Sequence, residues 1–344
     1  MAWDFDTHLR TGKQATVLRV RDLTVRIQTA EALVLPVDRV SFDLEHGEAL
    51  GLIGESGSGK TTVALSLLRL LPPGASVSGR VELAGEDLLA SDPARVRRVR
   101  GRRIAMVFHD PLAALNPVLT IGTQIAEAVR AHQPLDRRQA RAATLELLRS
   151  VGLADADAAR YPHQLSGGMR QRALIAMALG CQPEILVADE PTSALDPVVQ
   201  AGILALLRRV REERGLSLLL ATHDLGVAAG LCGRIAVLYA GRIVECGETA
   251  AVLARPRHPY TLGLLQSLPP PLGSAGGLPL RPIAGQPRGA RIAAPPLIMS
   301  PTRSDGCRFL GRCPRAREDC AKEEPELAEM DGGQVACFHP VEAP

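Results

Sequence analysis

Leu165-Ser166-Gly167-Gly168-Met169-Arg170-Gln171-Arg172 is the stretch on which the reading of this chain turns. Ser166, Gly167 and Gly168 put a hydroxyl and free backbone N–H groups at the start of a helix, where the dipole favours an anion. Glycine also lets the backbone approach a phosphate closely. The helix that follows, RQRALIAMAL, has apolar residues at helical spacing. It stops at Gly180, with Pro183 just beyond. An ordinary capped helix start would look the same, so its neighbours decide.

Upstream, Leu50 to Ile53 is a short apolar run that reads as a buried strand. It feeds Gly54-Glu55-Ser56-Gly57-Ser58-Gly59-Lys60-Thr61-Thr62 and then a helix, beginning TVALSLLRLL at Thr62. This is G-x-x-x-x-G-K-[ST] between strand and helix, the setting that a phosphate cradle requires. Backbone N–H groups of residues 54–59 would hold the β-phosphate. Lys60 is a point charge for the β- and γ-phosphates, and the Thr61 hydroxyl is a Mg²⁺ ligand. Downstream, Ile185-Leu186-Val187-Ala188 ends in Asp189-Glu190. A continuous apolar run ending in acids is a strand buried on both faces, with carboxylates at its C-terminal edge. Asp189 suits the Mg²⁺ shell, and Glu190 suits the polarisation of an attacking water.

Composition sets the outer bounds. A length of 344 residues suggests two domains. A net charge of +3 gives no bulk electrostatic case for nucleic acid. No apolar run approaches the roughly 18 residues that span a bilayer. The first ten residues, MAWDFDTHLR, lack the apolar segment of a secretory signal, so a cytosolic chain is expected. Lysine occurs only at Lys13, Lys60 and Lys322, and against that bias Lys60 stands out.

With these motifs in order, the chain resembles the ABC-type ATPases. LSGGMRQR matches their signature motif, which completes the ATP site of a facing subunit. The resemblance implies an α/β fold: a RecA-like P-loop core, an antiparallel β subdomain, and a helical subdomain at about 110–180. It implies ATP and Mg²⁺ as cofactors. Ser193-Ala194-Leu195-Asp196 resembles the loop that crosses the dimer interface, which adds Asp196 to the site. His223, at the end of the apolar run 216–222, resembles the switch histidine that contacts the γ-phosphate. Glu190, His223 and Lys60 are thus the expected catalytic residues. The cassette is expected over 1–255 and a C-terminal extension over 256–344.

The subgroup resembled is the oligopeptide, dipeptide and nickel importers. HDPLAALNPVLTIGTQIAE and HPYTLGLLQSLP carry that likeness. It implies an ATPase subunit that energises import of peptides or a related solute. Its partners would be a second, related ATPase, two transmembrane permease subunits and, indirectly, a solute-binding protein. No nucleic-acid partner is expected. The chain would sit peripherally on the cytoplasmic face of the inner membrane. The alternative is a non-transport ABC ATPase acting on nucleic acid or ribosomes. No sustained heptads lie between loop and signature, and only one nucleotide domain is present, which argues against it.

Two departures stand out. The family usually has Gln where this chain has His109, whose reach and protonation differ. The early stretch LTVRIQTAEALV lacks the aromatic that stacks on adenine, and Ile27 is the expected substitute. The Arg-rich run 95–103 has the charge to bind RNA or anionic lipid, but no aromatics interleave it. It reads rather as a solvated helix and loop. A hairpin is expected over 234–248, a helix from Pro256 to about Leu268, and a Pro/Gly-rich wrapping linker over 269–301.

Four of the seven cysteines crowd the C-terminus: Cys307, Cys313, Cys320 and Cys337. Cytosolic disulfides are unexpected, and clustered soft thiolates suggest a metal site. No pair has the close spacing usual for zinc, so zinc, an iron–sulfur cluster and free thiols all stay open. The subgroup includes members whose C-terminal cysteines at similar spacing bind a 4Fe–4S cluster, and the resemblance implies one here. Such a site is expected to lie well away from Lys60 and to act as a staple.

Overall fold

In the computed structural model, the described residues are 15–29, 32–268, 282–285, 291–293 and 306–342. Two long strands open the chain, β1 (Thr16–Gln28) and β2 (Leu33–Glu45), paired antiparallel. In β1, Leu18 and Val20 point inward, and so do Leu23 and Val25. That inward set slips by one residue at Asp22, whose φ is 47° and where the register shifts. A bulge there keeps both halves of the apolar face turned to the core.

β3 (Ala49–Ile53) is buried throughout and runs into the glycine-rich loop and helix α1 (Lys60–Leu67). Gly59 caps α1 at φ 110°, and a Cβ there would meet the Pro36 carbonyl oxygen of β2 at 2.4 Å. Only glycine fits this position. Next come β4 (Ala75–Leu83), β5 (Glu86–Asp87), α2 (Pro93–Val99) and β6 (Ile104–Val107). The Arg-rich run is less free than its sequence suggests. Arg95 pairs with Glu86, Arg103 with Glu184, and Arg100 donates to the carbonyls of Leu68 and Arg69. Arg97 and Arg98 remain exposed.

A helical layer follows: α3 (Pro111–Ala114), α4 (Ile121–Arg130), α5 (Arg137–Ser150) and α6 (Gly167–Leu179). Each begins at an Asp, Thr or Ser whose side chain accepts a backbone N–H. The chain then alternates: β7 (Ile185–Asp189), α7 (Pro197–Arg214), β8 (Ser217–Thr222), α8 (Leu225–Leu231), β9 (Arg234–Tyr239) and β10 (Arg242–Glu248). β9 and β10 form the expected hairpin. α9 (Thr249–Ala254) and α10 (Pro259–Gln266) come next. The expected linker lies largely outside the described residues. From it come only β11 (Arg291–Ala293), which pairs with β2, and residues 282–285. Then α11 (Asp319–Lys322), β12 (Ala328–Met330) and β13 (Gly333–Val335) close the structure.

Two sheets result. One is antiparallel, in the order β11-β2-β1-β4-β5. The other is mixed, in the order β12-β13-β10-β9-β3-β8-β7-β6. Its strands β9, β3, β8, β7 and β6 are parallel, so their C-terminal ends share one edge. Strand alternation divides the interior in two. Ile53, Leu186, Leu220 and Val237 face the helical layer, while Leu52, Val187, Leu219 and Leu238 face α1 and the antiparallel sheet. A sheet covered on both faces explains why these strands read as continuous apolar runs. Among the described residues, no helix is long and apolar enough to cross a membrane.

Candidate nucleotide site

Three adjacent parallel strands deliver their C-terminal ends to one place, the crevice where such sheets bind ligands. β3 delivers the glycine-rich loop, β7 delivers Asp189 and Glu190, and β8 delivers His223. Lys60 Nζ donates to the carbonyls of Gly54 at 2.7 Å and Glu55 at 3.0 Å. It also stands 3.8 Å from Glu190 Oε1. Burial pulls the Lys60 pKa down, against the opposing pull of Glu190 and Asp189. The Ser58 hydroxyl in the same loop is buried with no protein partner. That orphan, with the buried ammonium, suits a loop shaped to receive an oxyanion.

Asp189 is 1% exposed, and its Oδ1 accepts the Thr61 hydroxyl at 3.1 Å. Burial raises its pKa, which the Thr61 bond and the nearby His109 partly offset. A buried carboxylate beside a hydroxyl fits a hard cation such as Mg²⁺. Glu190 follows at φ 45°, in the left-handed region, with its N–H bonded to the Ala221 carbonyl at 2.8 Å. This strained turn aims the carboxylate back across the crevice. Its Oε2 lies 3.0 Å from His223 Nδ1. His109, just after β6, is exposed, and its charge reaches Asp189. Lys60, Thr61, Asp189, Glu190 and His223 therefore gather at one edge of the sheet, with His109 near Asp189.

The signature segment lies elsewhere in the same chain. Ser166 caps α6, accepting the Met169 N–H at 3.3 Å, and Ser166 and Gly167 are exposed. Gly168 is pressed on α7: a Cβ there would meet Val199 Cγ1 at 2.4 Å. Among the described residues, no hydrogen bond or ion pair joins this segment to the glycine-rich loop. Asp196 caps α7 through the N–H groups of Val198 and Val199. Ile27 is half-buried on β1, between Val34 of β2 and Ala75 of β4.

Cys307, Cys313, Cys320 and Cys337 line one small cavity, together with His258, Phe309 and His339. The Cys307 N–H bonds to the Cys320 carbonyl at 2.7 Å. Burial pushes the Cys307 thiol up to about 11, and thiolates at Cys337, Cys313 and Cys320 would repel one there. Four mutually repelling thiolates need a cation to coexist. Among the described residues, one set of three ligand atoms lies within 4.8 Å of one another: Asp319, Cys320 and His339. No three of the four sulfurs all lie within 4.8 Å of one another. Arg312, beside Cys313, reaches the glycine-rich loop and pairs with Glu55. Nothing in the spacing of Arg312 marks it, and an Arg-rich composition hides it further.

The fold and site define an ABC-type ATPase. The ABC transporter family model matches residues 37–193, and the model for the oligopeptide/dipeptide transporter C-terminal region matches 244–320. A probable peptide ABC transporter ATP-binding protein of Sinorhizobium fredii is 43% identical over 330 residues, 94% of this chain and 95% of that protein. A putative peptide import ATP-binding protein of Brucella ovis is 44% identical over 326 residues, 92% of this chain and 94% of that one. Among solved structures, the dimeric ATP-binding cassette MJ0796 bound to ADP and Pi matches with a TM-score of 0.62 and 29% identity. That match covers 67% of this chain and 98% of the cassette. The chain belongs to the ATP-binding proteins of ABC transporters.

Proposed function

We propose that this chain hydrolyses ATP to drive peptide import through an ABC transporter. The match of residues 244–320 to the oligopeptide/dipeptide transporter C-terminal region carries the reading. Relatives with peptide-import names, similar along nearly the whole chain, support it.

In this reading the backbone of 54–62 cradles the phosphates and Lys60 neutralises them. Thr61 and Asp189 would hold Mg²⁺, whose charge would offset that of the phosphates. Glu190 takes the proton of the attacking water, and His223 orients that carboxylate and reaches the γ-phosphate. His109 stands beside Asp189 and reports on the site. Ser166, Gly167 and Gly168 meet the ATP of a second cassette, with Asp196 at the interface. The exposure of Ser166, Gly167 and Asp196 in the single chain supports that arrangement. The second cassette is a related ATPase. Two permease subunits anchor the pair peripherally at the cytoplasmic face of the membrane, and a solute-binding protein feeds them.

The cysteine-lined segment is a C-terminal extension beyond the cassette. Its four thiols suit a 4Fe–4S cluster held by Cys307, Cys313, Cys320 and Cys337. Such a cluster would supply a soft-metal cross-link among the segments that carry the four cysteines.

The test is reconstitution. The chain, its permeases and its binding protein, placed in vesicles, should take up a labelled peptide and hydrolyse ATP faster when peptide is present. Lys60→Ala should abolish both. Stimulation by non-peptide solutes alone would overturn the peptide reading while leaving the ATPase intact.

A further inference from the structure

Glu55 belongs to the glycine-rich loop, yet its side chain is gripped from the far end of the chain. Arg312 Nη1 and Nη2 donate to its two carboxylate oxygens at 2.7 and 3.0 Å. This is a fork-to-fork pair, the geometry that suits arginine and not lysine. Arg312 is itself held. Its Nε donates to the Ala284 carbonyl at 2.9 Å, and its guanidinium lies 5.7 Å from the Tyr239 ring centre and 6.0 Å from that of Phe309. Its side chain is 5% exposed. The bond to Glu55 outweighs burial and keeps the guanidinium charged.

A second tie reaches the same residue. The Glu55 N–H donates to the Tyr260 hydroxyl at 2.9 Å. Tyr260 packs against Tyr239 with ring centres 4.6 Å apart, and against Phe309 at 5.5 Å. The C-terminal half thus fixes one residue of the loop by both backbone and side chain. Glu55 is also the one acidic residue in 54–62. Its charge is felt at Lys60. Left unpaired, that carboxylate would set a negative charge beside bound phosphates, in a partly desolvated place where screening is weak.

We propose that Arg312 is a positioning residue of the nucleotide site: by pairing with Glu55 it fixes the loop and cancels its one negative charge, and so strengthens ATP binding. The proposal rests on reading 54–62 as the ATP site, and the test separates the two.

ATP affinity is measured by calorimetry on the full-length chain and four variants. Arg312→Ala should raise the Kd about tenfold, or about 1.4 kcal/mol. Glu55→Gln should stay within about threefold of the parent, because the amide carries no charge. The double variant should match Glu55→Gln, since no carboxylate is left to repel the phosphates. In the assembled transporter, Arg312→Ala should raise the KM for ATP and leave kcat nearly unchanged. Parental ATP affinity in Arg312→Ala overturns the proposal. So does a double variant as weak as Arg312→Ala, because the loss would then come from packing rather than charge. Lys60→Ala is the fourth variant. If it keeps ATP binding, the site reading itself fails; if it loses ATP while Arg312→Ala does not, only the proposal on Arg312 falls.

Discussion

His223 Nδ1 lies 3.0 Å from Glu190 Oε2, while Lys60 Nζ stands 3.8 Å from the other oxygen of the same carboxylate. Glu190 is thus shared between the Lys60 ammonium and the His223 imidazole. The left-handed turn at Glu190 and the backbone bond to Ala221 fix that position. A carboxylate this constrained costs little to aim at a water, which is the economy of a preorganised site.

Glu190→Gln would remove the proposed base and keep the shape. Turnover in the assembled transporter should fall about 10²- to 10⁴-fold, the usual worth of a general base. ATP binding should survive, since Lys60 and the loop backbone are untouched. Steady-state hydrolysis and an equilibrium binding assay on the same preparation check both parts. Undiminished hydrolysis would remove Glu190 from the mechanism.

His109 follows β6 and faces Asp189, where relatives in the resembled family usually carry Gln. Both side chains can donate or accept a hydrogen bond, though their reach differs. His109→Gln should therefore preserve or raise ATPase activity in the assembled transporter. A clear loss would give His109 a role of its own, and comparing hydrolysis across pH 6 to 8 in parent and variant would expose it.

The residues proposed to meet phosphate were legible because each is chosen by chemistry at short range. Gly54 to Thr61, Asp189-Glu190 and Ser166 to Gly168 sit on strand ends and helix starts that the apolar runs already mark. The fastening of the C-terminal half was not legible. β13 is three residues, Gly333–Val335, too short to show alternation, yet it pairs with β10 some ninety residues earlier. Arg312 and Arg308 look like any of the chain's many arginines until the fold brings them to Glu55 and Asp38. Long-range pairing of this kind depends on tertiary context that local pattern does not carry.

Asp38 of β2 is one such fastening. It accepts from Arg242 Nε at 3.2 Å and pairs with Arg308, which also meets Glu324 at 2.8 Å. Burial works to raise the Asp38 pKa, but the two guanidinium groups outweigh it and hold it below the usual carboxylate value. A depressed carboxylate stabilises the fold fully above the unfolded pKa of about 3.9, and that share is lost as pH falls through the lower folded value. Asp38→Asn should cost about 2 kcal/mol at pH 7, less than a fully buried pair because Asp38 keeps some exposure. Its stability should then change less than the parent's between pH 4.5 and 3. Urea titrations across that range measure both, and parallel curves would deny Asp38 its part in the acid limb.

The cysteine-lined cavity yields the last prediction. Cys307 is pushed up to about 11 by burial, so in a metal-free chain it stays a neutral, slow-reacting thiol. Only a bound cation would hold it as thiolate alongside Cys313, Cys320 and Cys337. With the proposed 4Fe–4S cluster bound, chain purified without oxygen should be brown and carry about four iron atoms. Cys307→Ser should lose the colour and lower the thermal midpoint, because the cross-link among the segments lining the cavity would lose one ligand. A colourless anaerobic preparation holding stoichiometric zinc would replace iron with zinc as the metal. A metal-free preparation whose melting is unmoved by Cys307→Ser would leave the four thiols as packing alone.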